Sequence, residues 1–195
     1  MTGDVRVSGF AWGSAFRWVA WSGAVVLLLL PLVAMQLTAE VRWGPEDFIV
    51  MGGLLFTCAG IVDFATRRTS DIAYLLGVVV AVGTSFLLVW VNLAVGIIGS
   101  EDNPMNLMFM GVILLTIIGA AVVRGAARGM ARVMFLGAGA LALVGAVTLY
   151  VGGGTFEPPG AAGILAIIGF FAALWLASGA LFLKARAGAG VPNMH

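Results

Sequence analysis

Long apolar runs alternate with short polar links along the whole chain. Six of these runs are long enough for a helix to cross the hydrocarbon core of a bilayer, which takes about 20 residues. The third run is longer than a perpendicular crossing needs, so we expect its helix to tilt, to protrude or to kink near residues 83–85. The pattern predicts an all-α, polytopic membrane protein with six transmembrane helices. Their predicted limits are 19–37, 48–65, 72–98, 106–123, 133–151 and 161–183.

The two ends of the chain lie outside these runs. Residues 1–18 mix aromatic side chains with Gly and Ser, and we interpret them as a cytoplasmic or interfacial segment. Residues 19–183 are predicted to form the transmembrane bundle, and residues 184–195 a short cytoplasmic tail. We expect the first run to be retained as an anchor, because no A-x-A-like cleavage pattern follows its apolar core.

Composition excludes several classes of function. The chain has 10 basic and nine acidic residues among 195, and 62% of its residues are hydrophobic. A soluble domain usually carries about 25% charged residues, so a soluble enzyme is excluded. The near balance of charge also excludes a nucleic-acid-binding surface. Cys58 is the only cysteine and His195 the only histidine, which excludes a disulfide, a bis-histidine haem and a His/Cys zinc site. We therefore expect no cofactor and no bound metal.

The positions of the charges predict an orientation. With the N-terminus inside, the inner segments hold nine of the ten basic residues and the outer links hold six of the nine acids. This asymmetry follows the positive-inside rule and predicts that both termini are cytoplasmic. The inner basic residues are Arg6, Arg17, Arg67, Arg68, Arg124, Arg128, Arg132, Lys184 and Arg186, and the charged residues assigned to the outer links are Arg42, Glu40, Glu46, Asp47, Glu101, Asp102 and Glu157.

A shift of 59 residues overlays the second predicted span on the fourth. The shared pattern, P-x-[DN]-[FL]-x-x-M-G-x-x-L-x-T-x-x-G, starts at Pro45 and at Pro104, and a third copy starting at Pro159 matches weakly. Proline favours the first turn of a helix, so we expect a helix to begin at each of these residues. We interpret the pattern as three antiparallel helical hairpins related by an axis along the membrane normal. The alternative is chance coincidence of Gly, Leu and Met in apolar helices.

Polar residues concentrate between the third and fourth predicted spans, in residues 91–106. In a continuous third helix, Asn92, Gly96 and Ser100 would lie on one face. Carboxylate and amide oxygens suit Ca²⁺, Mg²⁺ or Na⁺, so this segment is a candidate polar site. Its candidate residues are Asn92, Ser100, Glu101, Asp102, Asn103, Asn106 and, from the end of the first span, Gln36.

Structural roles compete with this interpretation. Acids and amides are ordinary in a solvated link, Asn103 can cap a helix through its side-chain oxygen, and the donors fall short of a metal cage. Asn92 lies inside a predicted span, where a polar side chain faces the bundle interior either as an interhelical hydrogen-bonding group or as part of a site.

Asp63 is the only acid inside a predicted span. An intramembrane acid is a functional candidate by default, for example in proton or cation coupling. Arg67 follows four residues later, in the favoured order for a helical ion pair. Asp63 lies two residues from the end of its span, so we interpret Asp63 and Arg67 as an ion pair at the membrane interface. The alternative is a role for Asp63 in proton or cation coupling.

The run V-N-L-A-V-G-I-I-G-S-E-D-N-P-M-N-L-M, residues 91–108, resembles the signature of a family of small, uncharacterised bacterial inner-membrane proteins. Residues 35–43 and the pair Asp47-Phe48 are similar to the same family, and the likeness covers about residues 35–135. The resemblance implies a polytopic membrane protein, and it brings no known activity or catalytic residue.

Three functions remain open at this stage. The first is a structural or accessory component of a membrane assembly, in contact with lipid and with a membrane-protein partner or a second copy of itself. The second is a small secondary transporter or cation pathway with its polar site near the outer face, around Asn92 and Glu101. An intramembrane enzyme ranks last, because the side chains of adjacent Glu101 and Asp102 point in different directions and no histidine is at hand.

Overall fold

The computed structural model describes residues 4–100, 102–152 and 160–188, with side chains for residues 13–100, 102–152 and 160–185. The described chain is all α-helical, as predicted, apart from its links and one 3₁₀ turn. The helices are α1 (Asp4–Leu37), α2 (Pro45–Arg68), α3 (Ile72–Ala94), α4 (Leu107–Val122), α5 (Ala127–Val151) and α6 (Gly160–Gly188), and the 3₁₀ turn Pro104–Asn106 leads into α4.

All six helices are long and apolar enough to cross a membrane. At 1.5 Å of rise per residue, even the 19 residues from Pro104 to Val122 span about 28 Å, close to the thickness of the hydrocarbon core. The prediction of six membrane-crossing helices is confirmed at this level.

Three helices extend beyond the predicted spans. Helix α1 runs without a break from Asp4 to Leu37 and so includes most of the segment 1–18, which was predicted to be cytoplasmic or interfacial. Helix α5 begins at Ala127, six residues before the predicted start, and α6 continues to Gly188, into the predicted tail. An apolar run marks only the part of a helix that contacts lipid. The helix itself continues through basic residues, because Arg and Lys are good helix formers and their aliphatic stems cover apolar surface.

The third helix ends at Ala94, so the predicted extent 72–98 is wrong at its far end. Gly96 has φ +71° and Gly99 φ +66°, left-handed conformations that no α-helix contains. The helix is continuous through residues 83–85, where the hydroxyls of Thr84 and Ser85 donate to the carbonyls of Val80 and Ala81. With 23 residues, α3 has an ordinary length for a membrane crossing.

The chain divides into two compact units, Met1–Leu75 and Leu76–His195. In the first, α2 packs back along α1. A Cβ built on Gly13 would lie 4.0 Å from Thr66 Cβ, the rings of Trp21 and Phe56 are 6.0 Å apart, and Leu28 covers Gly52. The outer surface of α1 stays exposed and apolar, with Trp18 73% and Leu37 82% exposed.

In the second unit, glycines let α4, α5 and α6 approach closely. A Cβ on Gly137 of α5 would lie 2.8 Å from Thr116 of α4 and 3.0 Å from the Trp175 ring of α6. A Cβ on Gly179 would lie 2.5 Å from the Phe135 ring. Small residues at such contacts are typical of helix packing in lipid, where close backbone approach replaces the hydrophobic effect. Trp175 is fully buried at this contact.

The candidate polar site at the α3–α4 link

Asn106 organises the link between α3 and α4. Its side-chain oxygen accepts hydrogen bonds from the backbone N–H groups of Ile97 (3.1 Å) and Ile98 (2.9 Å). Its side-chain nitrogen donates to the carbonyls of Ser100 (2.8 Å) and Ile98 (3.4 Å). Asn106 is only 6% exposed, so these bonds satisfy backbone groups that would otherwise be buried without partners. Asn106 is thus a structural clamp on the preceding loop.

The loop that Asn106 holds is itself packed. Ile97 is fully buried and Ile98 is 5% exposed, although both follow the end of α3. Gly96 makes this turn possible, because a Cβ there would lie 2.5 Å from the Ser100 carbonyl oxygen and 2.8 Å from Asn106 Nδ2. The apolar pair that the sequence assigned to the end of a helix instead folds back as a buried loop.

Asn103 caps the start of the next helical segment, as predicted. Its side-chain oxygen accepts from the backbone N–H of Met105 at 3.0 Å, and Pro104 takes the first position, where no N–H is required. The second span also begins with a proline in its first turn, Pro45, but its cap differs: the N–H of Gly44 donates to the Asp47 carboxylate at 2.9 Å. The third expected start, at Pro159, lies outside the described residues.

Asn92 lies in the last turn of α3 and is 5% exposed. Its side-chain nitrogen donates to the carbonyl of Leu88 in its own helix at 2.7 Å. Its side-chain oxygen has no hydrogen-bond partner among the described residues. A buried acceptor without a partner costs about 1–3 kcal/mol. Among the described candidates, Asn92 is the one with a buried polar atom that has no hydrogen-bond partner.

Within the second unit, Asn92 does not share a helical face with the described candidates of the link. Ser100 is exposed and lies beyond the turn at Gly96, so Asn92, Gly96 and Ser100 do not form the expected helical face. The backbone carbonyl of Ser100 instead accepts a hydrogen bond from the Asn106 side chain. Asp102 is exposed in the link. Gln36 is exposed near the end of α1, in the first unit. Glu101 lies outside the described residues.

Asp63 forms the predicted ion pair with Arg67, whose Nη2 lies 2.9 Å from Asp63 Oδ2. Arg17 of α1 is a second partner, with Nε 3.5 Å from Asp63 Oδ1. Sequence reasoning missed Arg17, because it placed this residue outside the first helix. A signal was available: Arg17 precedes the end of α1 by about as many residues as Asp63 follows the start of α2, which places them at one level when α2 packs back along α1.

The described residues contain no group of three or more His, Cys, Asp or Glu side chains that could hold a metal ion. The polar side chains within the helices bond mostly to nearby carbonyls of their own helix, as Thr57, Thr84, Thr116 and Thr148 do. The described part of the link between α3 and α4 contains two buried apolar side chains, Ile97 and Ile98, whose backbone N–H groups are held by the Asn106 amide.

The six apolar helices define the class of the protein as a multi-pass integral membrane protein. No protein family, no curated protein and no solved structure matches the chain.

Proposed function

We propose that this protein is a structural or accessory component of an assembly in the bacterial inner membrane. The observation that carries the proposal is the use of the polar groups in the candidate site. Asn106 and Asn103 hold backbone amides of the α3–α4 link, and Asp63 holds two arginines. These residues stabilise helix ends and helix contacts, which is the work expected of a packing component. The resemblance of residues 91–108 to small bacterial inner-membrane proteins supports the same setting.

The proposed orientation has both termini in the cytoplasm. It is supported by the nine basic residues on one side of the predicted spans and the six acids on the other. Two single-cysteine variants in a Cys58→Ser background, Asp102→Cys and Arg128→Cys, test it with a membrane-impermeant maleimide on intact spheroplasts. Labelling of Asp102→Cys alone is expected, with both labelled after lysis. Labelling of Arg128→Cys alone before lysis would reverse the orientation.

We further propose that the helices form three hairpins, two of which share the pattern that starts at Pro45 and Pro104. Support comes from the matching starts of α2 and of the segment leading into α4, and from the packing of α2 on α1 and of α6 on α5. In the middle hairpin α4 packs chiefly on α5 and not on α3. The two copies differ in environment: Leu55 is 4% exposed, whereas its counterpart Leu114 is 56% exposed. If the hairpins are a duplication, the copies have taken on different packing roles.

The accessory role is tested by the size of the native particle. Untagged protein at native abundance, extracted in a mild detergent, is expected to migrate with a complex larger than its monomer. Gly53→Leu, Gly111→Leu and Gly169→Leu add side chains where a Cβ meets open space, so each is expected to leave the fold intact. At least one of them is expected to release the monomer by blocking a partner helix. A monomer from the unmodified chain under all mild conditions argues against the proposal.

A second function, a cation pathway, is favoured by one observation, the unpartnered side-chain oxygen of Asn92. An amide oxygen can coordinate a cation or bond a water in a polar path. Flux of Na⁺, K⁺ or protons into proteoliposomes, compared with empty liposomes, tests this function. Flux that Asn92→Ala abolishes and Ser85→Ala preserves would establish it, and flux no greater than that of empty liposomes would reject it.

A further inference from the structure

Arginines at one end of the first unit have partners within the chain. Asp63 pairs with both Arg17 and Arg67, and the guanidinium of Arg68 lies 4.5 Å from the centre of the Phe64 ring. The Asp63 carboxylate therefore offsets part of the positive charge at this end of α1 and α2.

Three arginines in the second unit have no such compensation. Arg124, Arg128 and Arg132 are exposed, and both ion pairs among the described residues belong to Asp63. The sequence contains no Asp or Glu from residue 103 to residue 156. An acid from the same stretch of chain is therefore not available to neutralise them.

The spacing of the three arginines concentrates their charge. Arg128 and Arg132 are four residues apart in α5, so they lie on one face of the helix, about 6 Å apart along its axis. Arg124 occupies the turn before α5, with φ +51°. Ala126, the residue that precedes α5, provides no side-chain hydrogen bond to the first turn, and no acid lies there. Positive side chains at a helix N-terminus are destabilised by the helix dipole unless an anion offsets them.

We infer that Arg124, Arg128 and Arg132, the α4–α5 arginine surface, bind the headgroups of anionic phospholipids. Arg132 directly precedes Val133, where the apolar stretch of α5 begins, so the surface lies where the helix passes from hydrocarbon to the headgroup layer. A guanidinium can bind two phosphate oxygens at once. Each basic side chain close to an anionic leaflet also contributes separately to the free energy of lipid binding. This position favours a lipid leaflet over an acidic protein as the source of negative charge.

The test measures phosphatidylglycerol binding to the purified full chain in mixed micelles, with phosphatidylcholine as the neutral comparison. Arg128→Gln with Arg132→Gln is expected to weaken phosphatidylglycerol binding roughly 30-fold, since each basic residue near an anionic surface contributes about 1 kcal/mol. The control, Arg42→Gln with Arg68→Gln, removes two charges from the first unit and is expected to change binding little. Arg128→Lys with Arg132→Lys keeps the charge and is expected to bind at an intermediate level.

Four results would overturn the inference. They are equal binding of the two lipids, equal weakening by the control pair, full competition by inorganic phosphate at the concentration of the lipid, and arginine-dependent binding of polyglutamate without binding of phosphatidylglycerol. Thermal midpoints without lipid check that each variant is folded, and Arg132→Gln alone replaces the double variant if that one is unstable. Lipid binding is measured on the isolated chain, so its failure is distinguishable from failure to assemble with a partner.

Discussion

The hydroxyl of Ser178 in α6 donates a hydrogen bond of 2.8 Å to the backbone carbonyl of Gly77 in α3, 101 residues earlier in the chain. Ser178 is fully buried. A Cβ on Gly77 would lie 3.1 Å from the Phe182 ring, so the glycine also admits an aromatic side chain one turn further along α6. A hydrogen bond and a close contact therefore join the two helices at one place.

Ser178→Ala is expected to lower stability in detergent by about 0.5–1.5 kcal/mol, because interhelical hydrogen bonds in membrane proteins contribute about that much. The measurement is the unfolding midpoint on titration with a denaturing detergent. Ser85→Ala is the matched control, since its hydroxyl donates to the carbonyl of Ala81 within one helix. Equal loss in the two variants would show that the bond between α3 and α6 contributes nothing specific.

Asn106→Ala is expected to expose the backbone of the α3–α4 link. The N–H groups of Ile97 and Ile98 both donate to Asn106, and leaving a buried donor unpaired costs about 1–3 kcal/mol. Amide hydrogen exchange at residues 97 and 98 is therefore expected to speed up, while exchange in α5 stays unchanged. Asn103→Ala, which removes only a helix cap, serves as comparison and is expected to leave these two amides protected.

Gly96→Ala is expected to destabilise the same link by more than 1 kcal/mol. The left-handed conformation itself costs an L-residue about 1–2 kcal/mol, and the added Cβ would meet Ser100 and Asn106. Gly111→Ala is the control, because Gly111 lies in α4 with open space around it and alanine favours a helix. Unfolding midpoints that agree for the two variants would contradict the assigned role of Gly96.

The sequence predicted the helices well because an apolar run of the required length has few alternatives in a membrane. It predicted the starts at Pro45 and Pro104 because a proline at the first turn and a cap before it are local signals. The Asp63–Arg67 pair was predictable for the same reason, since both residues lie on one helix.

The end of α3 was not predictable from hydrophobicity. Ile97 and Ile98 extend the apolar run, and only the backbone at Gly96 shows that the helix has already stopped. The amide of Asn106 then bonds eight and nine residues back along the chain, a contact that no helical periodicity encodes. The sequence identified Asn106 as important for its polarity, and its role depends on the tertiary fold.

The contact between α1 and α2 gives a direct test of the packing around Asp63. In a Cys58→Ser background, Gly13→Cys with Thr66→Cys is expected to form an intrachain disulfide under mild oxidation. The Cβ positions lie 4.0 Å apart, within the range of natural disulfides. Crosslinking is read as a mobility shift on non-reducing gels, with each single-cysteine variant as control.

Adding Asp63→Asn to this cysteine pair is expected to slow crosslinking, because Arg17 of α1 loses its partner on α2 one turn from the engineered bond. Arg67→Gln, added instead, leaves the Asp63 carboxylate and its contact with Arg17 in place, so crosslinking is expected to slow little. A graded order follows, with the unmodified pair fastest, Arg67→Gln close to it and Asp63→Asn slowest. If Asp63→Asn crosslinks as fast as the unmodified pair, the Arg17 contact does not hold α1 against α2, and apolar packing of residues such as Leu28 on Gly52 is sufficient.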